Sequence, residues 1–176
     1  MLQFGLECGD GWFELIDATC RLIQQHQRAA GTEPVVASQI KEKFGTLRFY
    51  YRGEGDDFVE GLIDLAEELS GNICEICGSV GLTYERNNWL STRCPPHAAK
   101  SSQTTATHLA SIDSSSPLAE VLAAALGLFD CNGTSAARWL ASPNWALSQS
   151  PLKEAIADNN YRRVWTLVGQ IEYGVL

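Results

Sequence analysis

Four side chains with metal-ligand chemistry fall into two pairs. Cys74-Glu75-Ile76-Cys77 and Cys94-Pro95-Pro96-His97 read together as C-x2-C, sixteen intervening residues, then C-x2-H. A structural zinc ion takes four soft or borderline ligands in a tetrahedron, and a two-residue gap lets one tight turn present both members of a pair to the same ion. Gly78, directly after the first pair, suits that turn. The expected cofactor is therefore Zn2+ held by Cys74, Cys77, Cys94 and His97. Its role is structural, because four protein ligands leave no open position for a reacting water. Two other readings stand beside this one: reduced cysteines in an apolar pocket with a surface histidine, or a redox C-x-x-C, which would leave the second pair without a purpose. Cys8, Cys20 and Cys131 lie outside the set, and Cys20 and Cys131 read as plain thiols.

The elements that must deliver the knuckle precede it. Asp10 is placed to cap a helix whose apolar face is Trp12, Leu15, Ile16, Thr19 and Ile23, ending near Gly31. From Val35 to Arg52 the period changes to two. Val36, Ser38 and Ile40 share a face of one strand, Leu47, Phe49 and Tyr51 a face of the next, and Lys43-Phe44-Gly45-Thr46 makes the turn. Asp56-Asp57 caps a second helix with Phe58, Leu62, Leu65, Ala66 and Leu69 inward, which leads through Ser70-Gly71-Asn72 to Cys74. The string Gln39 to Tyr50 (QIKEKFGTLRFY), preceded by Gly9-Asp10-Gly11-Trp12 and followed by the knuckle, resembles an uncharacterised phage and bacterial family over residues 8 to 98. That resemblance carries no activity. Lys41, Glu42, Lys43 and Arg48 crowd one hairpin, either as a binding site or, the favoured reading, as a solvated face of cross-strand pairs.

Residues 100–116 are dominated by serine and threonine and read as a flexible tether, with His108 inert within it. It separates a zinc-stabilised α+β domain over residues 1–99 from an all-α domain over residues 117–176.

The all-α part has clear punctuation. Ser116-Pro117 starts a helix with Leu118, Val121, Leu122, Ala125 and Leu128 at helical spacing. Ser135 caps a second helix through Trp139 and Leu140, stopped by Pro143. Ser150-Pro151 starts a third with Leu152, Ala155 and Ile156. Asn160 caps a fourth with Tyr161, Val164, Trp165, Val168 and Ile171, closed by Gly174. The series A-x-x-W-L at Ala136 to Leu140, then Pro143-Asn144, a serine-proline helix and the closing helix is similar to the toxin-binding domain of Xre/MbcA/ParS-type antitoxins. The resemblance covers about a third of the chain. It implies a four-helix toxin-binding module whose partner is a RES-type toxin that consumes or transfers part of NAD. Carried over, the toxin-binding candidates are Arg138, Trp139, Trp145 and the tail Tyr173, Gly174, Val175 and Leu176. On their own chemistry Trp139, Leu140 and Trp165 read first as core, Arg138 as equally a solvated arginine or an interface anchor, and the tail as a terminus that could fray.

Composition bounds the remaining choices. The chain has 176 residues, 45% of them hydrophobic, and a formal net charge of −8. Residues 1–100 hold nine basic and fifteen acidic side chains, residues 117–176 four and five, so the negative field belongs to the N-terminal part. A surplus of acid argues against nucleic-acid partners, including DNA read by the knuckle, since phosphate binding needs a surplus of lysine and arginine. No targeting segment and no run of eighteen apolar residues is visible, so a cytoplasmic location, no membrane partner and reduced cysteines are expected. Catalytic signatures are missing: no phosphate loop, no G-x-S-x-G, and a Cys20/His26 pair six apart on one helix points to nonadjacent faces. The expected function is a non-enzymatic antitoxin or immunity protein that sterically blocks the NAD site of a cognate RES-domain toxin, possible homodimerisation included. The other reading is a phage or bacterial regulatory adaptor in which the zinc domain recognises the partner and the C-terminal helices dimerise.

Overall fold

A computed structural model describes residues 6–99, 116–157 and 159–174. The described chain is mixed α+β, with seven α-helices and two small sheets. The Ser/Thr-rich segment 100–115, His108 included, lies outside the described residues, as do Val175 and Leu176.

The first strand, β1 (Leu6–Glu7), leads into a 3-10 turn at Asp10–Trp12 that runs straight into α1 (Phe13–Ala30). Asp10 lies inside that turn and its side chain caps nothing, so the expected N-cap is corrected. At the other end Gly31 adopts the left-handed conformation, φ 68°, and closes α1. Next come β2 (Val36–Lys43) and β3 (Thr46–Arg52), joined through Phe44 and Gly45, both at positive φ. Two consecutive left-handed residues are what a tight two-residue hairpin requires. The sheet order is β1-β2-β3, with β1 parallel to β2 and the hairpin antiparallel. The register slips between Ala37 and Gln39, so Ser38 is an extra residue. That bulge explains why Val36 is exposed while Ile40 is buried, although simple alternation puts them on one face.

The second helix, α2 (Asp57–Ser70), begins with Asp56, whose carboxylate accepts from the Val59 N–H. Its last turns cover the free edge of β3: Glu67 accepts from Phe49 N–H at 2.7 Å and Ser70 Oγ from Leu47 N–H at 2.8 Å. An edge strand is thereby satisfied by side chains instead of a fourth strand. After the knuckle, β4 (Leu82–Arg86) and β5 (Trp89–Arg93) form a second antiparallel hairpin, followed by a short α3 (Pro95–Ala99).

Beyond Ser116 the chain is helical: α4 (Pro117–Leu128), α5 (Gly133–Ala141), α6 (Pro151–Ile156) and α7 (Tyr161–Glu172). Ser116 and Ser150 cap α4 and α6 with their side chains. One expected cap moves, and another keeps its position without its side-chain hydrogen bond. The cap of α5 is Asn132, accepting from Ser135 N–H at 2.8 Å, and Asn160, still the N-cap residue of α7, turns its side-chain amide to Glu154 instead of to the helix. Leu118, Val121, Leu122, Ala125 and Leu126 are all buried, which makes α4 apolar around much of its circumference. A helix of that kind belongs at the centre. It packs against α1, α2, α5 and α7.

Buried side chains of the two halves consequently form one cluster, from Trp12 and Leu62 to Leu140 and Val164. Two domains joined by a tether were expected; the helices of residues 117–174 instead complete the core of residues 6–99. On α7 the buried stripe is Val164, Leu167 and Val168, and Trp165 stands outward.

Candidate metal centre

The first ligand pair sits in a loop closed by backbone hydrogen bonds. Cys74 N–H donates to the Ser79 carbonyl at 2.7 Å and Gly78 N–H to the Cys74 carbonyl at 2.9 Å. Gly78 has φ 73°, a conformation that only glycine adopts without strain, so both thiols end up on the same side of the turn. The second pair lies at the start of α3, where His97 and Ala98 N–H both donate to the Cys94 carbonyl. One helical turn then puts Cys94 and His97 side by side.

The sixteen-residue spacer is what brings the pairs together. It is the β4–β5 hairpin, reversed through Asn87 (φ 54°) and Asn88 (φ 62°). Sequence reading missed this hairpin; the signal was the Asn-Asn pair, tolerant of the left-handed region, between two short runs with strand-forming residues.

All four ligand atoms lie within 4.8 Å of one another. Cys77 Sγ is 3.7 Å from Cys94 Sγ, and His97 Nδ1 is 3.2 Å from Cys94 Sγ and 3.5 Å from Cys74 Sγ. Tetrahedral zinc with Zn–S about 2.3 Å and Zn–N about 2.0 Å would set S···S near 3.8 Å and S···N near 3.5 Å. The donor set and its spacing therefore fit a metal ion. Cys74 and Cys94 are buried, and Cys77 and His97 are half-buried. Burial and the neighbouring thiols push the Cys94 thiol up to about 11. Burial pushes Cys77 the same way, but hydrogen bonds from Ser79 and the adjacent thiols outweigh it and lower its pKa. A cation at the centre would deprotonate the set together, as metal thiolates require.

The knuckle is clasped from behind by Gly9-Asp10-Gly11-Trp12. Gly11 N–H donates to the Glu75 carbonyl at 2.9 Å, and the buried Trp12 indole donates to the Ile73 carbonyl at 2.8 Å. A β-carbon on Gly11 would lie 2.2 Å from the Cys74 carbonyl oxygen, and one on Gly9 would lie 2.3 Å from that of Glu75. The two glycines are thus contact positions, a role invisible in the sequence without the partner loop. On the other side Arg93 pairs with Glu75 at 2.5 Å, and Thr92 Oγ1 donates to the Gly45 carbonyl at 2.5 Å, seating the tip of the first hairpin on the second.

The remaining charged candidates on the first hairpin are engaged locally. Lys41 lies over the Tyr50 ring and Lys43 over that of Phe44, each at 5.3 Å, and Arg48 faces Glu67 at 3.6 Å. Glu42 accepts from the Gly45 N–H. Cys8 and Cys20 are raised to about 11, both chiefly by burial. His26 is not near Cys20's chemistry: it bonds the Asp56 carboxylate at 2.6 Å and stacks on Phe58.

The expected toxin-contact residues are spread over three elements. Arg138 is exposed on α5, and Trp139 is half-buried, tilted against Phe129 at 6.4 Å. Trp145, in the loop after α5, is 79% exposed, and Tyr173, just past α7, is 81% exposed. Gly174 has φ 66° at the end of α7. No hydrogen bond, ion pair or ring contact joins Arg138, Trp139, Trp145 and Tyr173 to one another among the described residues. Sequence reading overlooked the group that shapes this region, the buried Glu154. It accepts from Gln149 at 2.6 Å, Asn160 at 2.9 Å and Arg163 at 3.1 Å, while Arg163 also donates to the Ala146 carbonyl beside Trp145. The Gln149 hydrogen bond, ahead of the Arg163 charge, holds its carboxyl below the usual range.

No helix among the described residues is long and apolar enough to cross a membrane. No protein-family model, curated protein or solved structure matches this chain.

Proposed function

We propose that the chain is a non-catalytic antitoxin or immunity protein of the cytoplasm, a zinc-stabilised scaffold whose C-terminal helices cover the NAD site of a RES-type toxin. One observation carries this reading. Trp145, Tyr173 and Trp165, the last 59% exposed, place three large aromatic rings in solvent on a half whose aliphatic core is complete without them. Exposed tryptophan and tyrosine are the residue types that anchor protein interfaces. The resemblance of residues 117–176 to a toxin-binding domain names the class of partner, and Arg138 adds an exposed cation on α5. The mechanism is steric: the rings enter apolar pockets of the toxin and exclude the dinucleotide, with no turnover. Zinc in the Cys3His site keeps the knuckle, the second hairpin and α1 in register.

The test is co-expression with a RES-domain toxin encoded beside this gene, whose presence is itself an expectation of this reading. Intact antitoxin preserves cellular NAD and co-purifies with the toxin, whereas a Trp145→Ala/Tyr173→Ala double variant loses both. Retention of full protection by that variant would refute the assignment.

A second reading has its own observation. The register of β4–β5 places Leu82, Tyr84 and Arg86 on the same face as Trp89, because Thr83 and Thr92 point the other way to the Gly71 and Gly45 carbonyls. Leu82 and Trp89 are exposed, and Trp89 is 69% so. An outward tryptophan, tyrosine and arginine on a metal-held hairpin suit the adaptor reading, in which this domain recognises the partner.

A further inference from the structure

A cleft of about 230 Å³ opens where the knuckle meets the C-terminal helices. Its lining includes Asp10, Phe13 and Glu14 from the first turns of the α1 region, Ser79 of the knuckle, and Asn159 and Tyr161 at the start of α7. Among the described residues its lining contains no lysine, arginine or histidine. Neither the Asp10 nor the Glu14 carboxylate makes a hydrogen bond or ion pair among the described residues. Both belong to the first turns of the α1 region, where negative charge is favourable. What distinguishes the place is the rings. Phe13 is an exposed apolar side chain, and Tyr161 is half-buried and near enough to Glu14 that the pKa of its hydroxyl is raised first by burial and then by that charge.

We propose that this cleft binds an organic cation, a primary ammonium or a guanidinium, between the Asp10 and Glu14 carboxylates and the Phe13 and Tyr161 rings. Carboxylates select the positive charge, and aromatic faces favour a weakly hydrated cation that can shed water against them. A hard metal ion gains nothing from the rings and keeps its own hydration shell. The volume accommodates one such head group with part of its stem. Because its lining draws on the α1 region, the knuckle and the C-terminal helices together, the bound cation bridges the two halves of the chain. The same chemistry is offered by a free polyamine and by a lysine or arginine side chain of a protein.

The metal-loaded full chain, isotope-labelled for NMR, is titrated at constant ionic strength with spermidine and, separately, with the tripeptide Gly-Arg-Gly. Gly-Glu-Gly and calcium chloride are the controls. Saturable shifts at the amides of Glu14, Ser79 and Tyr161 are expected with the cations, with affinity falling about tenfold in Glu14→Gln and a few-fold in Phe13→Ala. Tighter binding of spermidine identifies a free amine as the occupant, and tighter binding of the arginine peptide a protein side chain. Phe13 is exposed, so its variant keeps the test open if Glu14→Gln folds poorly. Absence of shifts, equal shifts with calcium or Gly-Glu-Gly, or unchanged affinity in both variants would overturn the proposal.

Discussion

Gly133 and Gly61 meet backbone against backbone: a β-carbon on Gly133 would lie 2.1 Å from the Gly61 carbonyl oxygen, and one on Gly61 would lie 2.0 Å from that of Cys131. The contact fastens the start of α5 to the middle of α2, so the two halves of the chain interlock at a point where no side chain fits. Gly133→Ala should destabilise the whole molecule by about 1–3 kcal/mol, because neither backbone can yield without moving a helix. For a chain of this size that is a fall of roughly 2–4 °C in Tm per kcal/mol, read by thermal circular dichroism. A single transition for both variant and parent is expected, since the core is shared; separate transitions would show that the halves fold independently.

Removal of the metal should act on the whole fold. The knuckle holds Gly9, Gly11 and Trp12 through backbone contacts, and Trp12 is fully buried in the main core. Metal analysis should return one zinc per chain. A strong chelator, or Cys77→Ser, should lower Tm markedly and change the Trp12 fluorescence, whereas Cys20→Ser, outside the cluster, should leave the zinc content at one.

Acid should weaken the C-terminal helices through Glu154. Its folded pKa is depressed, so the stability it supplies is fully present above the unfolded glutamate pKa and is lost as pH falls through the lower folded value. Asp56, lowered chiefly by its bond to His26, contributes with the same sign at the α1–α2 junction. Urea denaturation from neutral pH down to about pH 3 should show stability falling below about pH 4.3, and Glu154→Gln should flatten that fall while lowering the neutral value. An unchanged acid limb in Glu154→Gln would mean that the buried carboxylate is not the titrating group.

The helix positions and the cluster of three cysteines and a histidine were legible because their signals are local. Ser116-Pro117, Ser150-Pro151 and Asp56 carry cap chemistry within four residues, and C-x2-C with C-x2-H names a ligand set whatever surrounds it. What could not be read depends on distant backbone. Gly11 and Gly133 look like ordinary glycines until Cys74 and Gly61 are placed against them, and the bulge at Ser38 is set by pairing with Tyr51 and Tyr50. Likewise the Ser/Thr-rich segment suggested separation of the halves. The apolar circumference of α4, with Leu126 as well as Leu122 buried, was the sequence signal that this helix lies between them.

The two functional readings separate on surface residues that carry no fold energy. Trp89 and Tyr84 on the second hairpin, like Trp145 and Tyr173, are exposed, so alanine at each should change stability by no more than about 0.5 kcal/mol. Loss of a ring that anchors an interface costs about 2 kcal/mol or more, some thirtyfold in Kd. Measured against the purified toxin, Trp145→Ala and Tyr173→Ala should weaken binding by that factor, with Trp89→Ala and Tyr84→Ala near neutral. The reverse pattern assigns recognition to the second hairpin, since its outward face would then be the surface the partner covers. Neutrality of all four would leave the aromatic rings without a role in toxin capture and remove the basis for both readings.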